Sequence, residues 1–318
     1  MTPAERILAW LRASATPLSG EELARRLGCS RAAVWKHVAG LRARGYGIAA
    51  HHARGYVLAA VPDRIGPAEL APHLSGTWRR IEWRAEIDST QRLARELARA
   101  GAEEGTCVIA EAQSAGRGRL GRTWHSPPGA NLYCSLVLRP PLAPAAVPQI
   151  ALVAGVAVAA TVDQTTGLPA AIKWPNDVLV RERKVAGVLT ELEAELERVR
   201  FVIAGIGVNL NVATLPAELA GRATSLAIEA GRPVDRAAFT ARLLAALEDR
   251  YTRFVAGGFA AVRAEWESRS ALTGKTVRVS GPEGETSGRV LGVDDDGALR
   301  LGTAAGERRV VAGEVTLR

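Results

Sequence analysis

Residues 150–162 carry no charged side chain and are interrupted by little more than Gly155. The run is shorter than the ~20 residues that a membrane span requires. It reads instead as a buried helix, and such a helix obliges the rest of the chain to build a core around it. A chain of 318 residues with 47% apolar content can supply that core, in about two or three domains of ordinary size.

Met1 is followed by Thr2, Pro3 and Ala4 and then by a charged amphipathic segment. The basic and apolar regions of a signal peptide are missing there, so the expectation is a cytoplasmic protein that engages no membrane. Cys29, Cys107 and Cys134 are odd in number, far apart and without C-x-x-C spacing. Neither a disulfide framework nor a zinc site follows from them, and no metal-ligand set is expected. The net charge of +8 is unevenly placed, because residues 1–62 hold nine Lys/Arg against three Asp/Glu, whereas residues 270–318 hold seven of each. A local balance of +6 in the N-terminal fifth points to an anionic partner.

The same fifth has the grammar of a winged helix-turn-helix. Ile7, Leu8, Trp10 and Leu11 follow helical spacing over 3–13 before Thr16, Pro17, Ser19 and Gly20 interrupt it. Ser19 to Glu22 has the form of a capping box and opens a short helix that stops at Gly28. After Cys29 and Ser30, Val34, Val38 and Leu41 form one buried stripe of a helix over 31–43. The opposite face holds Ala32, Lys36, Ala39, Gly40 and Ala43, small side chains plus a cation that can lie close to a DNA groove. Two strands, 46–48 and 55–58, follow with a polar turn at 51–54 between them. Ser30, Arg31, Ala32, Lys36 and Arg54 are the candidate DNA-binding residues. A small helical protein-interaction module is the plainer alternative.

In the central region Gly116, Gly118 and Gly121 match the spacing of the dinucleotide fingerprint. That fingerprint needs a helix at this point, and Pro127, Pro128 and Gly129 forbid one, so the match is rejected. The loop instead interleaves Arg117, Arg119 and Arg122 with its glycines, which suits an anionic ligand better than a solvated turn. KWPND at 173–177 is a rigid bend between two short strands, and Lys184 leads an apolar strand that contains Gly187. Residues 201–210 form a further strand whose glycines permit close backbone approach and which ends near Asn209. Asp88, Ser89 and Thr90 precede a helix from about Gln91 to Ala100, with Asp88 and Gln91 as its capping box; unpaired N–H groups there also suit a polar ligand.

DST at 88–90, GRGRLGRTWHSPPGANLY at 116–133, KWPND at 173–177, KVAGVLTE at 184–191 and GIGVNLN at 205–211 together resemble the biotin protein ligases, in the form that is also the biotin operon repressor. The resemblance covers nearly the whole chain. It implies an α+β multidomain fold: a winged helix-turn-helix over 1–62, a central α/β ligase domain over 63–269 and an SH3-like β-barrel over 270–318. The central mixed sheet would be similar to that of class II aminoacyl-tRNA synthetases. Residues 271–318 read independently as short strands separated by GPEG, DDDG and AAGE turns.

The resemblance further implies that biotin's carboxylate attacks the α-phosphate of magnesium-bound ATP and that an acceptor lysine then attacks the biotinoyl-adenylate. Ser89, Thr90, Gln113, Arg117, Gly118, Arg119 and Lys184 would contact biotin. Gln91 is included with them, although the family commonly has Asn there. Arg119, Arg122, Trp124, Asn176 and Asn209 would hold ATP. Lys184 and Arg119 would act on the reacting carboxyl and phosphate, and Asp177 on the incoming amine. The implied partners are the biotin carboxyl carrier protein or other biotin-dependent carboxylase domains, operator DNA, and a second copy of the chain once adenylate is bound. A lipoate or octanoate transferase and a non-catalytic biotin-sensing repressor are the rival readings.

Overall fold

The computed structural model describes residues 2–51, 54–76, 78–195, 198–282 and 284–317. The chain divides into two compact units, Met1–Arg64 and Ile65–Arg318.

The first unit contains α1 (Pro3–Ala13), α2 (Gly20–Leu27), α3 (Arg31–Ala43), β1 (Gly47–His51) and β2 (Gly55–Ala60), the two strands antiparallel. Each helix starts on a hydroxyl: Thr2, Ser19 and Ser30 accept from the third backbone N–H beyond them, which satisfies an otherwise orphan donor. At α2 only half of the expected capping box forms, because the Glu22 carboxylate turns to Arg26 instead. Gly28 ends α2 in the left-handed region, where a side chain would be strained. Val34, Val38 and Leu41 are buried as their spacing requires. In the turn between the strands, His52 and Ala53 lie outside the described residues.

The second unit is built on a seven-stranded mixed sheet. It contains α4 (Pro67–Leu70), β3 (Ile81–Arg84), α5 (Thr90–Arg99), β4 (Cys107–Ala110), β5 (Leu132–Leu138), α6 (Pro148–Thr166), β6 (Ala170–Lys173), β7 (Asp177–Val180), β8 (Arg183–Glu195) and β9 (Arg198–Val208). The sheet order is β3-β4-β5-β9-β8-β7-β6, with β3 and β4 parallel and the other pairs antiparallel. Strands alternate their side chains between the two faces. On one face Leu132, Leu136, Val202 and Ile206 join α6 in the main core. The apolar run of α6 is buried from Gln149 to Val162, which confirms it as a core helix. On the other face α5 covers only half of the sheet, packing Ala94 and Ala98 on Val108, Val137, Phe201 and Ile203. The uncovered half is where a site can form.

After β9 come α7 (Leu226–Ala230), α8 (Arg236–Gly257) and α9 (Ala260–Glu267), and then β10 (Thr276–Gly281), β11 (Gly284–Val293), β12 (Leu299–Thr303), β13 (Gly306–Val310) and β14 (Glu314–Leu317). These last strands form an antiparallel sheet in the order β13-β12-β11-β10-β14, so the final strand returns beside the first. Its apolar face, with Val277, Val290, Leu299 and Val315, is continuous with the main core. The DDDG turn is not free to bind a cation, since Arg309 pairs with Asp294 and Asp296 and Arg263 with Asp295.

Candidate active site

The sheet face left open by α5 is floored by glycines. Register places Gly187 opposite Gly207, and Gly205 opposite both Ser135 and Leu189. Without side chains on this floor, other groups can descend onto the backbone. A Cβ on Gly207 would stand 2.5 Å from the Trp124 ring, and one on Gly205 would stand 2.2 Å from Gln91 Oε1. Above the floor lies a cavity of about 980 Å³, at the upper end of the range for small-molecule sites. Ser89, Thr90, Gln91, Gln113, Arg117, Gly118, Arg119, Arg122, Trp124, Asn176, Asp177, Lys184 and Asn209 all line it. Every ligand-site residue expected from the sequence is therefore brought into one space.

One end of the cavity is polar and rigid. Ser89 is the N-cap of α5 but makes no side-chain cap, and its buried hydroxyl has no partner. Gln113 Oε1 accepts from Thr90 N at 2.9 Å and from Thr90 Oγ1 at 3.1 Å, while its Nε2 donates to Ser126 Oγ at 3.0 Å. The expected capping box of Asp88 and Gln91 does not form. Helix α5 begins one residue earlier, at Thr90, and Gln91 is buried in the floor. There its Nε2 donates to Leu189 O and Ile203 O, both at 3.3 Å, and its Oε1 accepts from Ser135 Oγ at 3.1 Å. An amide that reaches these sheet groups satisfies more buried polar atoms than a cap would.

The glycine-arginine loop is an ordered hairpin rather than a row of open amides. Gly118 N donates to Arg122 O at 2.7 Å and Trp124 N to Gly116 O at 2.9 Å, with one 3₁₀ turn over Arg119–Gly121. Arg119 Nη1 donates to Asn176 Oδ1 at 3.1 Å and Nη2 to Gly313 O at 3.3 Å. Burial lowers the guanidinium pKa of Arg119 from its ordinary value, so an anion would be a welcome neighbour. Arg122 pairs with Glu314 at 2.5 Å. Lys184 Nζ lies 2.6 Å from Asp177 Oδ1 and 5.3 Å from the centre of the Trp124 ring. KWPND forms the bend between β6 and β7 around a cis Trp174–Pro175 peptide. Asn176 Nδ2 holds Val188 O at 2.9 Å, and Asn209 Nδ2 holds Thr224 O at 3.0 Å.

The family resemblance implies that the C-terminal domain helps to clamp nucleotide or acceptor, but the sequence pointed to none of its residues in this cavity. Glu314, Val315, Thr316 and Leu317 of β14 line it, as does Lys275 just before β10. Trp174 Nε1 donates to Gly297 O at 3.0 Å and ties KWPND to the C-terminal sheet. An indole in a motif otherwise concerned with turns was the signal available for that contact. Ser135, which bonds Thr90 at 2.9 Å, was also missed, although a serine inside an otherwise apolar strand marks a polar neighbour.

In the other unit Ser30 caps α3, and Arg31, Ala32, Lys36 and Arg54 are exposed.

Comparison with known proteins gives three matches in chain order. A helix-turn-helix domain model matches residues 4–57, a model described as the biotin/lipoate A/B protein ligase family matches 83–209, and a biotin protein ligase C-terminal domain model matches 273–318. The bifunctional ligase/repressor BirA of Bacillus spizizenii is 39% identical over 94% of this chain and 94% of its own. That of Escherichia coli K12 is 32% identical over 94% of this chain and 92% of its own. A solved biotin protein ligase from Aquifex aeolicus in complex with biotin and ATP superposes with a TM-score of 0.67 at 33% identity, covering 76% of this chain and 99% of that one. On fold, site and sequence together, the chain belongs to the biotin protein ligase family, alongside its bifunctional ligase/repressors.

Proposed function

We propose that this chain activates biotin with ATP to biotinoyl-5′-AMP and transfers it to a lysine of a biotin carboxyl carrier protein, and that it represses transcription through its N-terminal unit. The observation that carries the reading is the convergence of all thirteen ligand-site residues on one cavity.

In the first step a biotin carboxylate oxygen bonds to the α-phosphorus of ATP, and the bond to pyrophosphate breaks. Two anions must be brought together, so cations are needed on both sides. Arg117, Arg119 and Arg122 come from the hairpin and Lys184 from β8. Magnesium enters as the counter-ion of the triphosphate. The unpartnered hydroxyl of Ser89, with Thr90 and Gln113, is suited to a cyclic urea, which offers both a carbonyl and N–H groups. Trp124 stands over the glycine floor, where its ring can cover adenine, with Asn176 and Asn209 fixing the walls.

In the second step a neutral lysine amine bonds to the acyl carbon, and AMP leaves with the electron pair of the anhydride. The amine must lose its proton, and Asp177 becomes available to take it once Lys184 has turned to the biotin carboxyl. Hairpin closure keeps water from the mixed anhydride meanwhile. Such a reaction, with its carrier and operator DNA, belongs in the cytoplasm. On this reading residues 1–62 bind DNA while 63–269 and 270–318 build the ligand cavity together, and adenylate-linked dimerisation would connect catalysis to repression. ATP-dependent transfer of labelled biotin to a carrier domain tests the reading.

A further inference from the structure

The segment that carries Gln113, the three arginines and Trp124 leaves the sheet after β4 at Glu111 and re-enters it before β5 at Asn131. Both stem residues meet a single side chain. Arg236, the first residue of α8, has no exposed surface, and its Nη1 donates to Glu111 Oε2 at 3.0 Å and to Asn131 O at 3.2 Å. Glu111 is held from behind as well, since its Oε1 accepts from Ile65 N at 2.8 Å. The stem is tied in turn to the segment that follows the neighbouring strand β9: Asn131 Oδ1 accepts from Leu210 N at 2.9 Å and Val212 N at 3.3 Å, and Asn211 N donates to Ala130 O at 2.8 Å. Asn211 also bonds both N and O of Val234 at 2.8 Å, two residues before Arg236.

Helix stability does not explain a cation in this place. The first turn of a helix disfavours positive charge, and a buried ion pair can often be replaced by apolar residues without loss. What the pair supplies is geometry, because one planar donor group holds both ends of the ligand-covering hairpin at a fixed separation. We infer that Arg236, with Glu111, is a positioning residue that fixes the stem of the hairpin, so that the closed hairpin retains the biotinoyl-adenylate until the acceptor lysine arrives. The inference rests on the ligase reading. Arg236, Glu111 and Asn131 do not line the cavity, so their effect on substrate passes through the hairpin.

The test uses the full-length protein in three forms: wild type, Arg236→Lys, and the double variant Arg236→Met/Glu111→Gln, which removes both buried charges yet leaves an acceptor for Ile65 N. Biotin-dependent pyrophosphate release reports adenylate formation. Hydroxylamine in solution traps escaped adenylate as biotin hydroxamate and AMP, in competition with a carrier domain. For the double variant we expect pyrophosphate release within about threefold of wild type and a hydroxamate fraction about tenfold higher, less than the roughly 10²-fold that a misplacement of about 1 Å can cost. The KM for biotin should rise more than kcat falls, with Arg236→Lys intermediate. An unchanged partition in a folded variant, or lower thermal stability with an unchanged partition, overturns the inference. If the double variant does not fold, Arg236→Lys decides by the same readout. Absence of biotin-dependent pyrophosphate release from wild type would instead overturn the ligase reading.

Discussion

At the scale of single residues, the site is a set of charges and amides that hold one another in place. Lys184 is the clearest case: it is partly exposed, paired with Asp177 and laid across Gly187, and it leaves no buried partner stranded if removed. Lys184→Ala should lower biotin-dependent pyrophosphate release by about 10²- to 10³-fold, the cost typical of removing one preorganised electrostatic group. Stability should change by about 1 kcal/mol, since both side chains of the pair keep some contact with water. Near-normal release in a folded variant would remove Lys184 from the mechanism. Gln91 teaches a different lesson. Its position after Ser89 and Thr90 suggests either a helix cap or a ligand contact, but the choice depends on Leu189 O and Ile203 O, which are remote in sequence. Local patterns see the capping box and are blind to the sheet that passes beneath it.

At the scale of elements, the legible parts were those with a period or a cap. Helix α1 follows from Ile7, Leu8 and Leu11, α2 from its Ser19 cap and Gly28 stop, α3 from Val34, Val38 and Leu41, and β5 from an apolar run broken only by Ser135. The stretch 212–269 carries no motif, so α8 and its buried Arg236 gave no functional signal, although Leu243, Leu247 and Phe254 are helically spaced. Strand β14 is four residues long, too short to show alternation, and only the fold reveals that it lines the cavity. The same logic gives α3 and the β1–β2 turn a measurable role. Lys36→Ala and Arg54→Ala should each weaken operator binding and reduce the slope of log affinity against log salt by about 1 if the residue neutralises one phosphate. Both side chains are exposed, so folding should be unaffected. An unchanged mobility shift at every salt concentration would count against the assignment.

At the scale of the molecule, charge and chemistry are divided between two compact units, the +6 balance in the first and the ligand cavity in the second. A winged helix-turn-helix normally reads a half-site, and pairing two of them on a palindrome requires a dimer. If the bound adenylate holds the surface loops in the form that self-associates, the dimerisation constant and operator affinity should both increase with biotinoyl-adenylate present. Sedimentation and mobility shifts measured with and without it would refute the link by giving equal values. The central claim is tested most directly by incubating the full-length protein with labelled biotin, ATP, magnesium and a biotin carboxyl carrier domain, in parallel with samples lacking ATP and samples containing excess lipoate. Labelling of one carrier lysine that requires ATP and resists lipoate is the predicted result. Tight biotin binding without labelling would contradict it and leave a sensor, and displacement by lipoate would move the chain to the other branch of its superfamily.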